Sequence, residues 1–189
     1  QAALVARPGL REGFGPSRGE TPEGARPAAG AGPGGGLGLG HERLALLYHL
    51  MGQQELRTAY ADSLRLASQA MLEAARGSKG PVQTGVIARA HAKLGVAYAL
   101  LGEGIRAVAE GSKAVSLLPV TVDAYEGAEH LRDLVVIYTL IGAPDLAMQE
   151  LSTALSIPSP LTRAEITLDP LFTPLRERPE FAALRDAVR

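Results

Sequence analysis

The chain has 189 residues and no cysteine, and its 19 Lys and Arg stand against 20 Asp and Glu for a formal charge of -1. That balance gives no cationic footprint for a polyanion, so no nucleic-acid partner is expected, and the missing thiols exclude a cysteine nucleophile, a Cys-ligated zinc site and a disulfide framework. The longest apolar stretch, Leu134 to Ala143 with Thr139 and Gly142 allowed, falls far short of the roughly 20 residues that cross a bilayer, so no membrane span is expected.

Along the chain, residues 1–40 hold 12 of the 22 glycines and 5 of the 13 prolines. A segment such as Gly30 to Gly40 has only Leu37 and Leu39 to bury against a large loss of backbone entropy, so 1–40 is expected to be a flexible linker or tail. Gly30, Gly32 and Gly35 fit G-x-G-x-x-G. No strand pattern precedes them and no helix pattern opens at them, so they read as low-complexity sequence rather than as a phosphate cradle. The chain starts at Gln1, and Ala2 to Ala6 is too short for a signal-peptide core. The expectation is therefore a piece of something longer; the absence of cysteine does not tell cytoplasm from periplasm, and the compartment is left open with the cytoplasm slightly favoured.

Beyond residue 40 the apolar residues recur in steps of three and four. Leu44, Leu47, Tyr48 and Met51 form one stripe; Ile87, His91, Leu94, Tyr98 and Leu101 a second; Leu131, Leu134, Val135, Tyr138 and Ile141 a third. Such spacing predicts helices, and the breakers at Gly52, Gly77 to Pro81, Gly102 with Gly104, Pro119, and Gly142 with Pro144 divide them into six, paired as hairpins. Asp123 and Asp169 are placed to cap helix starts, Pro170 sits at a first helical position, and a last helix should follow Pro179. The folded part is expected to be all-α, with hairpins at about 41–76, 85–121 and 122–159 and a C-terminal cap over 161–189.

The three hairpins share a motif. Tyr48-His-Leu-Met-Gly52, Tyr98-Ala-Leu-Leu-Gly102 and Tyr138-Thr-Leu-Ile-Gly142 all read Tyr-x-Leu-apolar-Gly, at offsets of 50 and 40 residues. Ala107 and Ala147 each follow nine residues after the tyrosine, and Pro119 and Pro158 close their units. A hairpin cannot cover its own apolar stripe, so consecutive ones must stack.

This spacing resembles the tetratricopeptide repeat (TPR), with signature W-x2-L-G-x2-Y, A-x3-F, then P over about 34 residues. The best copy, Ala88 to Thr121, places His91, Leu94, Gly95 and Tyr98 at the first-helix positions and Ala107, Gly111 and Pro119 at the rest. The next, Ala128 to Ser159, matches at Leu131, Leu134, Val135, Tyr138, Ala147, Leu151 and Pro158. The first copy keeps His41, Leu44, Ala45 and Tyr48, but Arg57 stands where alanine is wanted, so its second helix is expected to be offset or longer. Leu117 to Gly127, Ile137 to Gly142, Leu155 to Ser159 and Leu168 to Phe181 further resemble the TPR tail of bacterial multidomain signalling proteins, where such a tail follows a kinase, cyclase, DNA-binding or sensor domain. The fold implied is a short right-handed superhelix of antiparallel hairpins with a capping helix.

The search for reactive groups yields little. Glu126, His130 and Asp133 share one helix face at i, i+4 and i+7, a donor set a metal could use, yet acids at a helix start and a charged outer face explain them as well. His41-Glu42 lacks the second histidine of a zinc-protease motif, His91 occupies an aromatic signature position and reads as core, and no nucleophile is paired with a base. Neither an enzyme nor a cofactor is expected.

The resemblance implies a groove lined by the first helix of each hairpin: Glu42, Arg43, Leu46 and His49; Arg89, Lys93, Val96 and Ala99; Glu129, Arg132, Asp133, Val136 and Thr139. It lacks the asparagines and paired lysines with which chaperone-binding relatives hold a terminal carboxylate. A solvated charged face is the plainer reading of the same residues. The function expected is a scaffold holding a peptide or partner domain, with self-association, regulation in cis of an upstream domain, or a metal-dependent enzyme as alternatives. Leu171, Phe172, Leu175, Phe181 and Leu184 should fold back over the hairpin of Leu131 and Leu151 as its cap.

Overall fold

The computed structural model describes residues 37–77, 80–157 and 161–187, and all regular structure among them is helical. Three long pairs come first: α1 (Leu37–Leu50) with α2 (Gln54–Ala75), α3 (Pro81–Leu100) with α4 (Gly104–Leu117), and α5 (Glu126–Leu140) with α6 (Pro144–Leu155). Short pieces follow: α7 (Arg163–Leu168), a 3-10 turn at Pro170–Phe172, α8 (Thr173–Arg176) and α9 (Pro179–Ala187).

The repeated pentapeptide encodes the turn within each pair. Gly52, Gly102 and Gly142 have φ of 68°, 83° and 72°, the left-handed region that an L side chain resists. In the first pair, Gly52 N donates to His49 O at 3.1 Å and Gln53 N to Tyr48 O at 2.9 Å. The second repeats this with Gly102 N to Ala99 O and Glu103 N to Tyr98 O, the third with Gly142 N to Thr139 O and Ala143 N to Tyr138 O. This is the Schellman closure, in which the last free carbonyls of one helix are satisfied by the two amides after it. The same residues begin the next helix, since Gln53, Glu103 and Ala143 accept from Arg57 N, Ala107 N and Ala147 N. So α2 starts in the same register as α4 and α6. Arg57 does not offset it, and it is instead longer, at 22 residues against 14 and 12.

Successive pairs lie against one another. Helix α3 touches α1, α2, α4 and α5, and α5 touches α3, α4 and α6. One close approach between helices is at Gly95, where a Cβ would stand 2.6 Å from Ile137 Cδ1, 2.9 Å from Ala107 O and 3.0 Å from Gly111 N. A Cβ on Gly111 would meet the same Ile137 Cδ1 at 2.6 Å. The two glycines form a notch between α3 and α4, and α5 fills it with Ile137. In the third pair Val135 stands where Gly95 does, and Leu151 where Gly111 does, both buried. The tail lies over that end: the 3-10 turn touches α5, while α8 and α9 touch α6, and Phe172, Leu175 and Phe181 join Leu131 and Leu151 in one buried cluster.

Several expectations need adjustment. Helix α1 begins at Leu37, inside the stretch assigned to the linker, because elongating a nucleated helix adds a backbone hydrogen bond per residue and tolerates single glycines at about 1 kcal/mol each. Gly30 to Gly36, Lys79 and Pro158 lie outside the described residues. Asp123 does cap the start of α5, accepting from Tyr125 N and Glu126 N, but Asp169 caps only the 3-10 turn, accepting from Leu171 N at 2.9 Å. Of the first stripe, Leu47 and Met51 are exposed.

Gly95→Ala is expected to lower stability by about 2–3 kcal/mol, since its methyl meets the backbone of α4. Gly111→Ala should cost less, because its methyl meets only side-chain tips, Ile137 Cδ1 at 2.6 Å and Leu134 Cδ1 at 3.0 Å, which can shift where backbone cannot. Urea unfolding of both variants measures the order; an equal or reversed ranking contradicts this account of the notch.

Candidate functional site

The expected groove positions sit on α1, α3 and α5, and their charges meet one another there. Lys93 Nζ on α3 donates to Glu42 Oε1 on α1 at 3.1 Å and to Asp133 Oδ2 on α5 at 2.8 Å. Arg132 Nη1 stands 3.8 Å from Asp133 Oδ1, and Arg132 Nε donates to Glu165 Oε1 on α7 at 2.6 Å. Five charges of alternating sign thus run from the first hairpin to the tail. Side-chain exposure is 8% for Glu42, 16% for Lys93 and 3% for Asp133, so the centre of the ladder is largely withdrawn from water.

Burial of that depth tilts the proton equilibria. For Lys93, burial alone would favour the neutral amine, but Asp133 and Glu42 outweigh it and raise its pKa, holding the ammonium. Glu42 is pushed up, first by burial and then by Asp133, with Lys93 only partly offsetting it. Glu129, half-buried beside the ladder, is also raised, by burial and by Asp133 against Arg132 and Lys93.

Two further pairs tie the hairpins. Arg89 on α3 bonds Glu126 in the first turn of α5, and His91 Nδ1 lies 2.5 Å from Glu110 Oε2, joining α3 to α4. His91 is therefore buried between helices. The remaining groove residues divide by exposure. Val96, Ala99 and Val136 are buried in the core and line no open surface. Leu46 is partly buried against that core, His49 is half-buried, and Thr139 turns its hydroxyl back to Val135 O at 2.8 Å. Arg43 and Arg89 are exposed. The mixed-sign groove is thus largely self-neutralised, and its apolar members are structural.

Glu126, His130 and Asp133 do not assemble as a donor set. Glu126 turns to Arg89 and Asp133 to Lys93, and no group of three His, Asp or Glu among the described residues is arranged to hold a metal. His130 is only 2% exposed and neither ring nitrogen has a partner. Its pKa is lowered by burial, then by Lys93 and Arg89, against the pull of Asp133 and Glu126.

Sequence reasoning overlooked Glu165. The signal was present, since Thr162-Arg-Ala-Glu165 is a capping box, and Thr162 Oγ1 accepts from Glu165 N at 3.1 Å. It also passed over the alternation of Glu42, Lys93 and Asp133 on adjacent first helices, which favours mutual pairing over an open charged surface.

Comparison with protein-family models, with curated proteins and with solved structures finds no match to this chain.

Lys93→Met should cost about 3–5 kcal/mol, because it leaves two buried carboxylates without their cation. Glu42→Leu, Lys93→Met and Asp133→Leu together should recover most of that loss in denaturant titrations, since no charge is then stranded. A separate expectation concerns His130. Its folded pKa lies below the unfolded 6.5, so the neutral ring's contribution is complete above pH 6.5 and is lost as pH falls toward the folded value. His130→Gln should therefore flatten the fall in stability below pH 6.5 relative to the native chain; parallel pH profiles would contradict the assignment.

Proposed function

We propose that this chain is a protein-interaction scaffold with no catalytic activity of its own, built as a short right-handed stack of three TPR-like hairpins. Its ligand is an extended peptide or the surface of a partner domain, received on the side formed by α1, α3 and α5. The observation that carries this reading is the succession of those three helices, each closed by the same Schellman turn and linked by one run of charges from Glu42 to Glu165. Helices in that relation present equivalent positions on one side, the geometry in which stacked repeats form an extended binding face.

The ladder narrows the contact set. Lys93 and Asp133 hold the stack together, so recognition falls to the more accessible groups beside them, Arg89 and Glu129 above all. Arg89 already has Glu126, and a ligand carboxylate competes for a guanidinium that is half-exposed and able to donate in two directions. Partners carrying an acidic side chain fit this surface best.

Peptide-library selection on the whole chain tests the reading. Arg89→Ala and Glu129→Ala should each weaken a selected peptide about tenfold, or about 1.4 kcal/mol, whereas Lys113→Ala on the exposed side of α4 should leave it unchanged. Ligands insensitive to both first-helix changes would refute the assigned face.

A further inference from the structure

Equivalent positions on the three first helices have unequal fates. Taking the motif tyrosines as origin, Arg43 corresponds to Lys93 and Asp133, Leu47 to Ala97 and Ile137, Leu50 to Leu100 and Leu140, and Met51 to Leu101 and Ile141. In α3 and α5 these positions close each hairpin onto the one before it. Lys93 reaches back to Glu42, Asp133 to Lys93, Ile137 fills the Gly95 and Gly111 notch, and Ile141 lies beside Gly104. In α1 the same set is open. Leu47, Leu50 and Met51 are 48%, 45% and 55% exposed, and Arg43 makes no ion pair among the described residues.

We infer that this face of α1 is a self-association surface, on which a second copy of the chain docks through its own α1 in a two-fold antiparallel contact. Two observations select that occupant. The far end of the stack is closed by Phe172, Leu175 and Phe181, so a second copy has no free notch there for head-to-tail growth. An isologous contact is the arrangement that remains. The charges also agree with it. With the two-fold axis passing near His49, Leu47 lies against the partner copy's Met51 position and Arg43 points toward the partner copy's turn end, where Glu55, an exposed acid in the first turn of α2, also lacks an ion pair among the described residues. Arg43 thereby repeats on a second molecule what Lys93 does within the chain.

Three half-exposed side chains make a small patch, short of the roughly 1,200 Å² at which standard interfaces begin, so the dimer should be weak. Sedimentation equilibrium of the whole chain from micromolar to millimolar concentration tests this. The expected result is a reversible monomer–dimer equilibrium, weakened at least tenfold by Leu50→Lys with helical content retained. Arg43→Glu and Glu55→Arg should each weaken it, and the two together should restore it, a rescue that lost folding cannot imitate. A monomer throughout the range, or a dimer indifferent to all three changes, overturns the inference. So does a monomer whose Met51 is shielded from hydroxyl-radical labelling, which would assign the face to the chain's own residues 1–36.

Discussion

The arrangement of the helices rests on how near α3 comes to α4. Gly95 brings two backbones within a distance that no side chain could share, with Ala107 O and Gly111 N at 2.9 and 3.0 Å from where its Cβ would be. That approach leaves a recess of one side chain's width, and Ile137 occupies it. Seating Ile137 fixes the height and rotation of α5, and with them the positions of Asp133 and Arg132 one turn away. The contact of Lys93 with Asp133 is therefore downstream of a packing event between uncharged groups. Dispersion and apolar burial set the geometry that makes the ion pairs feasible.

The charges contribute something other than net stability. Withdrawing Glu42, Lys93 and Asp133 from water carries a desolvation penalty that their mutual attraction offsets only when the geometry is good. A slip of one residue between α1 and α3, or between α3 and α5, would strand a buried charge, whereas sliding leucine past alanine would cost much less. The alternating ladder thus penalises wrong registers more strongly than it rewards the right one. His130 follows the same rule of position: burial, Lys93 and Arg89 lower its pKa against Asp133 and Glu126, and its ring is held without any hydrogen bond.

Local signals were legible in the sequence for the three long pairs. The 3.6-residue spacing located the long helices, and the Tyr-x-Leu-apolar-Gly motif located the turns because a Schellman closure needs a left-handed residue at fixed spacing from the carbonyls that accept its amide and the next one. Gly95 could be read as a close approach because little else explains a glycine within an apolar helical stripe. Exposure was not legible. Leu47 and Met51 follow the same periodicity as Ile137 and Ile141, and periodicity states which side of a helix is apolar but not whether another hairpin covers it. Which groove positions reach solvent was not legible for a related reason. A family pattern assigns positions to a face, while the identity of the residue opposite decides whether a charge there meets solvent or a counter-ion, and Lys93 meets two counter-ions.

The unequal spacing of the motifs, 50 residues and then 40, shows where the constraints end. The first helices must align, since α1, α3 and α5 share the ladder, and the turns after them are identical in hydrogen bonding. The second helices carry no such obligation. Helix α2 runs eight residues beyond the length of α4 and ten beyond that of α6, and the additional turns change neither the register of α2 at Gln53 nor the contact of Lys93 with Glu42. Length variation is absorbed in α2 and at the start of α3, which has 20 residues against 15 in α5, while the stretch bearing Arg89, Glu129 and Arg132 keeps its spacing. A surface whose spacing survives such variation is one on which a ligand spanning successive hairpins can be read in register, and that constancy of register is what favours the first-helix side as the candidate for recognition.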